Sequence, residues 1–293
     1  MTLRRTPAER FTGLPDFEYD PAFVDVGEPR MAHVEAGDGD PILCLHGEPT
    51  WSFLYRKMIP PLSEKGRVVA PDFIGFGRSE KYTEIDDYTF EMHYNSLVSF
   101  IEKLELDNIT LVCQDWGSIL GLTAAANNPG RFARIVAMNA LLPDGTVEMP
   151  DVWHSFHDLV VGADELDFWR IVDTGCVTDL SDEVKEGYNA PFPDESYKAG
   201  ARAWPPMVPT SPDDEGADRV AEAREKLAEW DKPAFVLFSD SDPITRDFAE
   251  DFHSLFPTAD KQPDVRIERA GHFLQEDNGE DCAEEILAFV ERT

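Results

Sequence analysis

The chain has 293 residues, 42% of them apolar, enough to bury the core of one large domain carrying an insertion. Its 58 acidic and 26 basic residues leave a formal net charge of −32, which repels nucleic acid and anionic membranes and argues against both as partners. No apolar run approaches the ~20 residues of a membrane span, and MTLRRTPAERF leads into no apolar signal core, so a cytoplasmic protein is expected.

The first strand expected is PILCLHG (Pro41–Gly47), followed by RVVAPDF (Arg67–Phe73). A helical pattern, YTFEMHYNSLVSFIEKLEL, separates these from ITLVCQD (Ile109–Asp115). Then come the helical SILGLTAAANNP and the strand RIVAMNAL (Arg134–Leu141). Near-continuous apolar runs of this kind are the mark of parallel strands covered on both faces. Cys44 and Cys113 fall inside such runs, where a free thiol behaves as a small hydrophobe, and no CxxC spacing points to zinc or a disulfide framework.

From 142 to 212 the alternation lapses. The stretch has aromatics (Trp153, Phe156, Phe168, Trp169, Trp204), prolines and weak helical patterns, but no clean strand. The simplest organisation is a core of 1–141 and 213–293, with a helical cap at 142–212 over the C-terminal sheet edge, where open α/β folds bind ligands. Beyond it lie the helical RVAEAREKLAEW, the strand PAFVLFSD (Pro233–Asp240), VRIERAGH (Val265–His272) and a final helix, EDCAEEILAFVERT. The order argues for an α/β fold with a mostly parallel, doubly wound sheet.

Asp115 stands at the end of one strand, at once before a helix, in the context C-Q-D-W-G. That matches the nucleophile elbow, usually G-x-Nu-x-G, with Cys113 in place of the first glycine and a carboxylate as nucleophile. A carboxylate needs no base to attack and forms an ester, which suits displacement at a saturated carbon or opening of an epoxide. The alternative for this stretch alone is a helix N-cap. On such a fold an acid and then a histidine follow on later strands. SDSDPIT supplies Asp240 and Asp242, of which Asp242, at the turn before Pro243, is preferred and Asp240 is taken as a solvated loop acid. AGHFLQED supplies His272 as the base; His46 reads as structural, His93 as helical, and His33, His154, His157 and His253 as surface or cap residues. An oxyanion hole needs two N–H donors, here the backbone of Trp116 and, from LHGEPTW, of Glu48. No G-x-G-x-x-G follows a strand and no metal-ligand spacing occurs, so no cofactor or metal is expected.

Taken in order, HGEPTW, APDFIGFGRS, VCQDWGS, APFPDESYKAGARAWP and AGHFLQED resemble the haloalkane dehalogenases of the α/β-hydrolase fold, from about Arg10 to the end. The resemblance is to the subgroup whose triad acid follows the strand after the cap; the position another subgroup uses is here Asn139. It implies that Asp115 displaces halide to give an alkyl ester, which His272, oriented by Asp242, hydrolyses with water. It also implies two indole N–H donors for the halide: Trp116 and a cap tryptophan, for which Trp153 is preferred and Trp169 is the competitor. The partners are then a small halogenated alkane, water and halide; the sequence carries no signal for oligomeric state. An epoxide hydrolase, which would need cap tyrosines such as Tyr188 and Tyr197, and a non-catalytic ligand receptor are the alternatives.

The acids are dispersed, and only nine of the 26 basic residues are lysine. Such a surface resembles that of proteins from salt-loving organisms, where molar cation screens the self-repulsion. Under such salt a tight chloride site would stay filled, so weak chloride binding and a preference for bromo- and iodoalkanes are expected.

Overall fold

The apolar runs form the middle of one eight-stranded sheet. The computed structural model describes residues 2–293. Strands β2 (Ala22–Val24), β3 (Met31–Ala36), β4 (Pro41–Leu45), β5 (Arg67–Asp72), β7 (Ile109–Asp115), β8 (Phe132–Ala140), β9 (Ala234–Ser239) and β10 (Val265–Ile267) lie in the order β10-β9-β8-β7-β4-β5-β3-β2. All neighbours from β10 to β5 pair in parallel; β3 and β2 are antiparallel. A short pair, β1 (Leu3–Arg4) with β6 (Lys81–Tyr82), lies outside this sheet.

Every residue of β4 and β9 is buried. These strands therefore read as continuous apolar runs, because helices cover both sheet faces. The helices are α1 (Ile59–Ser63), α2 (Phe90–Lys103), α3 (Trp116–Asn127), α4 (Asp151–Gly162), α5 (Phe168–Gly175), α6 (Asp182–Asn189), α7 (Ala199–Met207), α8 (Ala217–Leu227), α9 (Ala249–Leu255) and α10 (Leu274–Arg292). Helix α3 is buried from Trp116 to Ala126, so apolar side chains surround it instead of lying along one stripe. Helices α4 to α7 fill the stretch without strands between β8 and β9.

Two expectations need correction. The run VRIERAGH is strand only over Val265–Ile267. Arg269 then takes a left-handed conformation (φ 53°), and the chain turns away from the sheet before His272. Asp240, exposed in its loop as expected, also fastens that turn by accepting the N–H of Arg269 (3.0 Å) and Ala270 (3.3 Å). His33 is not a surface residue either: it is buried in β3, 2.7 Å from Glu35 Oε1. The antiparallel strand that carries it was not expected, because MAHVEA has no long apolar run.

Candidate active site

Asp115 ends β7 with φ 50° and ψ −126°, a conformation a non-glycine residue rarely holds. The neighbourhood enforces it through close backbone approaches. A Cβ on Gly117 would lie 2.2 Å from the Leu45 carbonyl oxygen, and one on Gly47 would lie 2.3 Å from Asp115 Oδ1. Glycine is thus required on both sides of the carboxylate, which explains HGE and DWG together. Ser118 locks the corner: its hydroxyl, with one hydrogen to donate, lies within reach of the carbonyls of Asp115 (2.5 Å) and Leu141 (2.9 Å) and accepts from the Leu141 N–H (3.0 Å).

The Glu48 N–H donates to Asp115 Oδ1 at 2.7 Å. The first N–H groups of a helix have no acceptor within it, and Trp116 is the first residue of α3, directly after Asp115. The Glu48 side chain is buried and both its oxygens lack a partner. Burial, together with the charge of Asp115, raises its pKa well above the ordinary range.

His272 Nδ1 lies 3.0 Å from Asp242 Oδ2, and its Nε2 lies 3.6 Å from Asp115 Oδ2. The structure therefore brings Asp115, His272 and Asp242 into one line. Asp242 is buried and also accepts from the Ile244 N–H (2.7 Å) and the Thr245 hydroxyl. Burial would raise its pKa, but the His272 charge and these donors hold it below 3.8. For His272, burial pulls the pKa down, and the charges of Asp242 and Asp115 overcome it and raise the value to about 10. Gln114, which the sequence did not single out, places its amide nitrogen 3.0 Å from His272 Nε2, a donor to the neutral ring. The same amide nitrogen donates to the His272 carbonyl at 3.3 Å.

Asn139 occupies the alternative acid position, with positive φ (34°) at the end of β8. Its amide nitrogen, with two hydrogens, lies within hydrogen-bond reach of Ser239 Oγ (2.9 Å), the Gly271 carbonyl (2.9 Å) and the His272 carbonyl (3.1 Å), and its oxygen accepts the Ser239 N–H (2.9 Å). All its polar capacity ties strands to the histidine loop. That role was hidden in the sequence because its partners lie about a hundred positions or more away.

Above Asp115 lies a cavity of about 340 Å³, lined by Trp116, Trp153, Phe156, Leu159, Ile171, Val208 and other apolar residues. Of the six tryptophans, Trp51 and Trp204 spend their N–H on Gly187 and His93. Trp116 and Trp153 face the cavity, and among the described residues neither indole N–H has an acceptor. Trp169 does not line the cavity; it lies beneath Arg170 and Lys185. Nor do Tyr188 and Tyr197 line it, and the Tyr188 hydroxyl donates to Glu276 at 2.6 Å. His46 is buried and accepts the Phe73 N–H at 3.0 Å, while burial lowers its pKa to about 4.

An eight-stranded, mostly parallel sheet with an acid at a strained strand-to-helix corner, a histidine and a second acid defines the α/β-hydrolase class, and a family model of that fold matches residues 40–171. Whole-chain relatives narrow it. Haloalkane dehalogenase 1 of Mycobacterium tuberculosis strain H37Rv is 45% identical, with all of both chains covered. Haloalkane dehalogenase of Psychrobacter cryohalolentis is 43% identical, covering 99% of this chain and 98% of its own. The tetrameric haloalkane dehalogenase DpaA of Paraglaciecola agarilytica superposes with a TM-score of 0.92 at 39% identity, over 98% of both chains. The chain belongs to the haloalkane dehalogenases, and it is a hydrolase.

Proposed function

We propose that this enzyme converts haloalkanes to alcohol and halide through an ester on Asp115. Oδ1 is engaged by the Glu48 N–H, which leaves Oδ2 to attack the halogen-bearing carbon in line. The new C–O bond forms as the carbon–halogen bond breaks, and the halide departs with the bonding pair. The N–H groups of Trp116 and Trp153 receive it; an indole donates and has no lone pair to oppose an anion.

In the second step His272 takes a proton from water, whose oxygen adds to the Asp115 carboxyl carbon. Negative charge develops on Oδ1, where the N–H groups of Glu48 and Trp116 stabilise it. Collapse breaks the bond between the carboxyl carbon and the alkyl oxygen. The alkyl oxygen leaves as the alcohol with the proton of the added hydroxyl, and one proton remains on His272 to be released. Ester formation removes the negative charge nearest Nε2, so the His272 pKa falls when a base is needed. The catalytic set is thus Asp115, His272 and Asp242. Residues 142–212 act as the cap that closes the cavity, and the chain works in a salt-rich cytoplasm with weak chloride affinity.

The observation that carries this reading is an exposed-edge carboxylate held by one backbone N–H and faced by a buried His–Asp pair. Its test is halide release from 1-bromobutane and 1,2-dibromoethane in molar KCl, comparing the intact enzyme with Asp115→Ala and His272→Phe. Release should vanish in Asp115→Ala. In His272→Phe it should stop after one equivalent, with the alkyl mass retained on the protein. Steady turnover by either variant would overturn the assignment.

A further inference from the structure

The peptide groups on either side of the catalytic histidine's Cα are held from two sides. From the core, Asn139 and Ser239 donate to the Gly271 carbonyl, and Asn139 and Gln114 donate to the His272 carbonyl. From the other side, the His272 N–H donates to the carbonyl of Gly175, the last residue of α5, at 2.7 Å. The Gly271 N–H donates to Asp277 Oδ2 at 2.8 Å. The same Asp277 carboxylate, in the first turn of α10, accepts the N–H of Val177 (2.9 Å), the N–H of Thr178 (2.9 Å) and the Thr178 hydroxyl (2.5 Å). One side chain thus joins the segment after α5 to the residue before His272.

The fit between these segments is close. A Cβ on Gly271 would lie 2.3 Å from the Gly175 carbonyl oxygen, and one on Gly175 would lie 2.6 Å from the Phe273 ring. Ile171, Thr174 and Gly175 of α5 also line the cavity.

We propose that Asp277 is a positioning residue that ties the α5 end of the cap to His272, and that it serves hydrolysis of the ester and not its formation. This rests on the reading of His272 as the base. The asymmetry follows from the geometry. Asp115 is held by β7, Glu48 and Ser118, none of which hydrogen-bonds to the Asp277 carboxylate. His272 has two backbone N–H neighbours on this side, Gly271 N and its own, and one goes to Asp277 directly while the other goes to the segment that Asp277 anchors. Displacing a base by about 1 Å costs on the order of 100-fold in rate.

The experiment is rapid-quench kinetics with 1,2-dibromoethane on Asp277→Ala and Thr178→Val, following bromide and the Asp115 alkyl ester by mass. Asp277→Ala should keep a bromide burst of one equivalent per folded enzyme, at a rate within about twofold of the parent. Its ester should decay about 10- to 100-fold more slowly and accumulate. Thr178→Val, which loses one of the carboxylate's donors, should show the same split with smaller size, and keeps the test valid if Asp277→Ala fails to fold. Equal slowing of burst and decay, or no change in decay, would overturn the proposal. His272→Phe run alongside separates the two readings: if it fails to trap ester, the assignment of the base falls and not merely the role of Asp277.

Discussion

At the scale of residues, two carboxylates set the charge of the buried His272 ring. The imidazole pKa of about 10 comes from two carboxylates overcoming burial. Asp115→Asn removes one of them, so an NMR titration of the His272 ring should give a midpoint below the parent's. A pKa raised above the ordinary 6.5 adds stability that is complete below about pH 6.5 and is lost as pH rises through about 10. Chemical unfolding of the parent should show that alkaline decline, and Asp115→Asn should flatten it. The tryptophans make a second prediction at this scale. A hydrogen bond to a charged group contributes about 1.5–3 kcal/mol, so Trp153→Phe should weaken bromide binding about 10- to 100-fold in a fluorescence titration. Trp169→Phe, whose ring lies outside the cavity, should leave bromide affinity within about twofold. Equal effects of the two changes would move the second donor away from Trp153.

At the scale of elements, the parallel strands β4, β7, β8 and β9 are legible because their middles are buried on both faces and hence near-continuously apolar. The end of β10 is not, since Val265–His272 is apolar enough for a strand while Arg269 and the Asp240 turn end it at Ile267. Asn139 shows the same limit, its value lying in the hydroxyl and N–H of Ser239 on β9 and in two carbonyls of the His272 loop. Asn139→Asp would replace a donor facing two carbonyl oxygens and a hydroxyl with a carboxylate oxygen. It should destabilise the fold by about 1–3 kcal/mol, read as a lower denaturation midpoint at unchanged m-value. An unchanged midpoint would mean that those contacts contribute nothing net.

For the molecule as a whole, the net charge of −32 is the dominant long-range term. Several surface cations are already matched, as Arg67 with Glu35, Lys65 with Glu291 and Arg131 with Asp107, and the large acid excess remains. Raising salt from 0.1 M to 1 M shortens the screening length from about 10 Å to about 3 Å, less than most spacings between surface charges. The thermal midpoint should therefore climb by several degrees over that range in KCl. A midpoint that is flat or falls with salt would rule out self-repulsion as the limiting term and remove the salt-adapted reading.

The sequence alone carried the α/β alternation and the order of Asp115, Asp242 and His272 along the chain. These depend on residue type and chain order, and burial on both strand faces writes itself directly into composition. Only the tertiary structure decided which tryptophans face the cavity, that Asp240 holds a turn, that His33 is buried, and that Gln114, Asn139 and Asp277 surround the histidine loop. Each of these is a matter of which groups meet after the sheet closes, across separations of up to some 158 positions, as for Gln114 and His272. A hydrogen bond leaves no periodicity in the chain, whereas a buried face does.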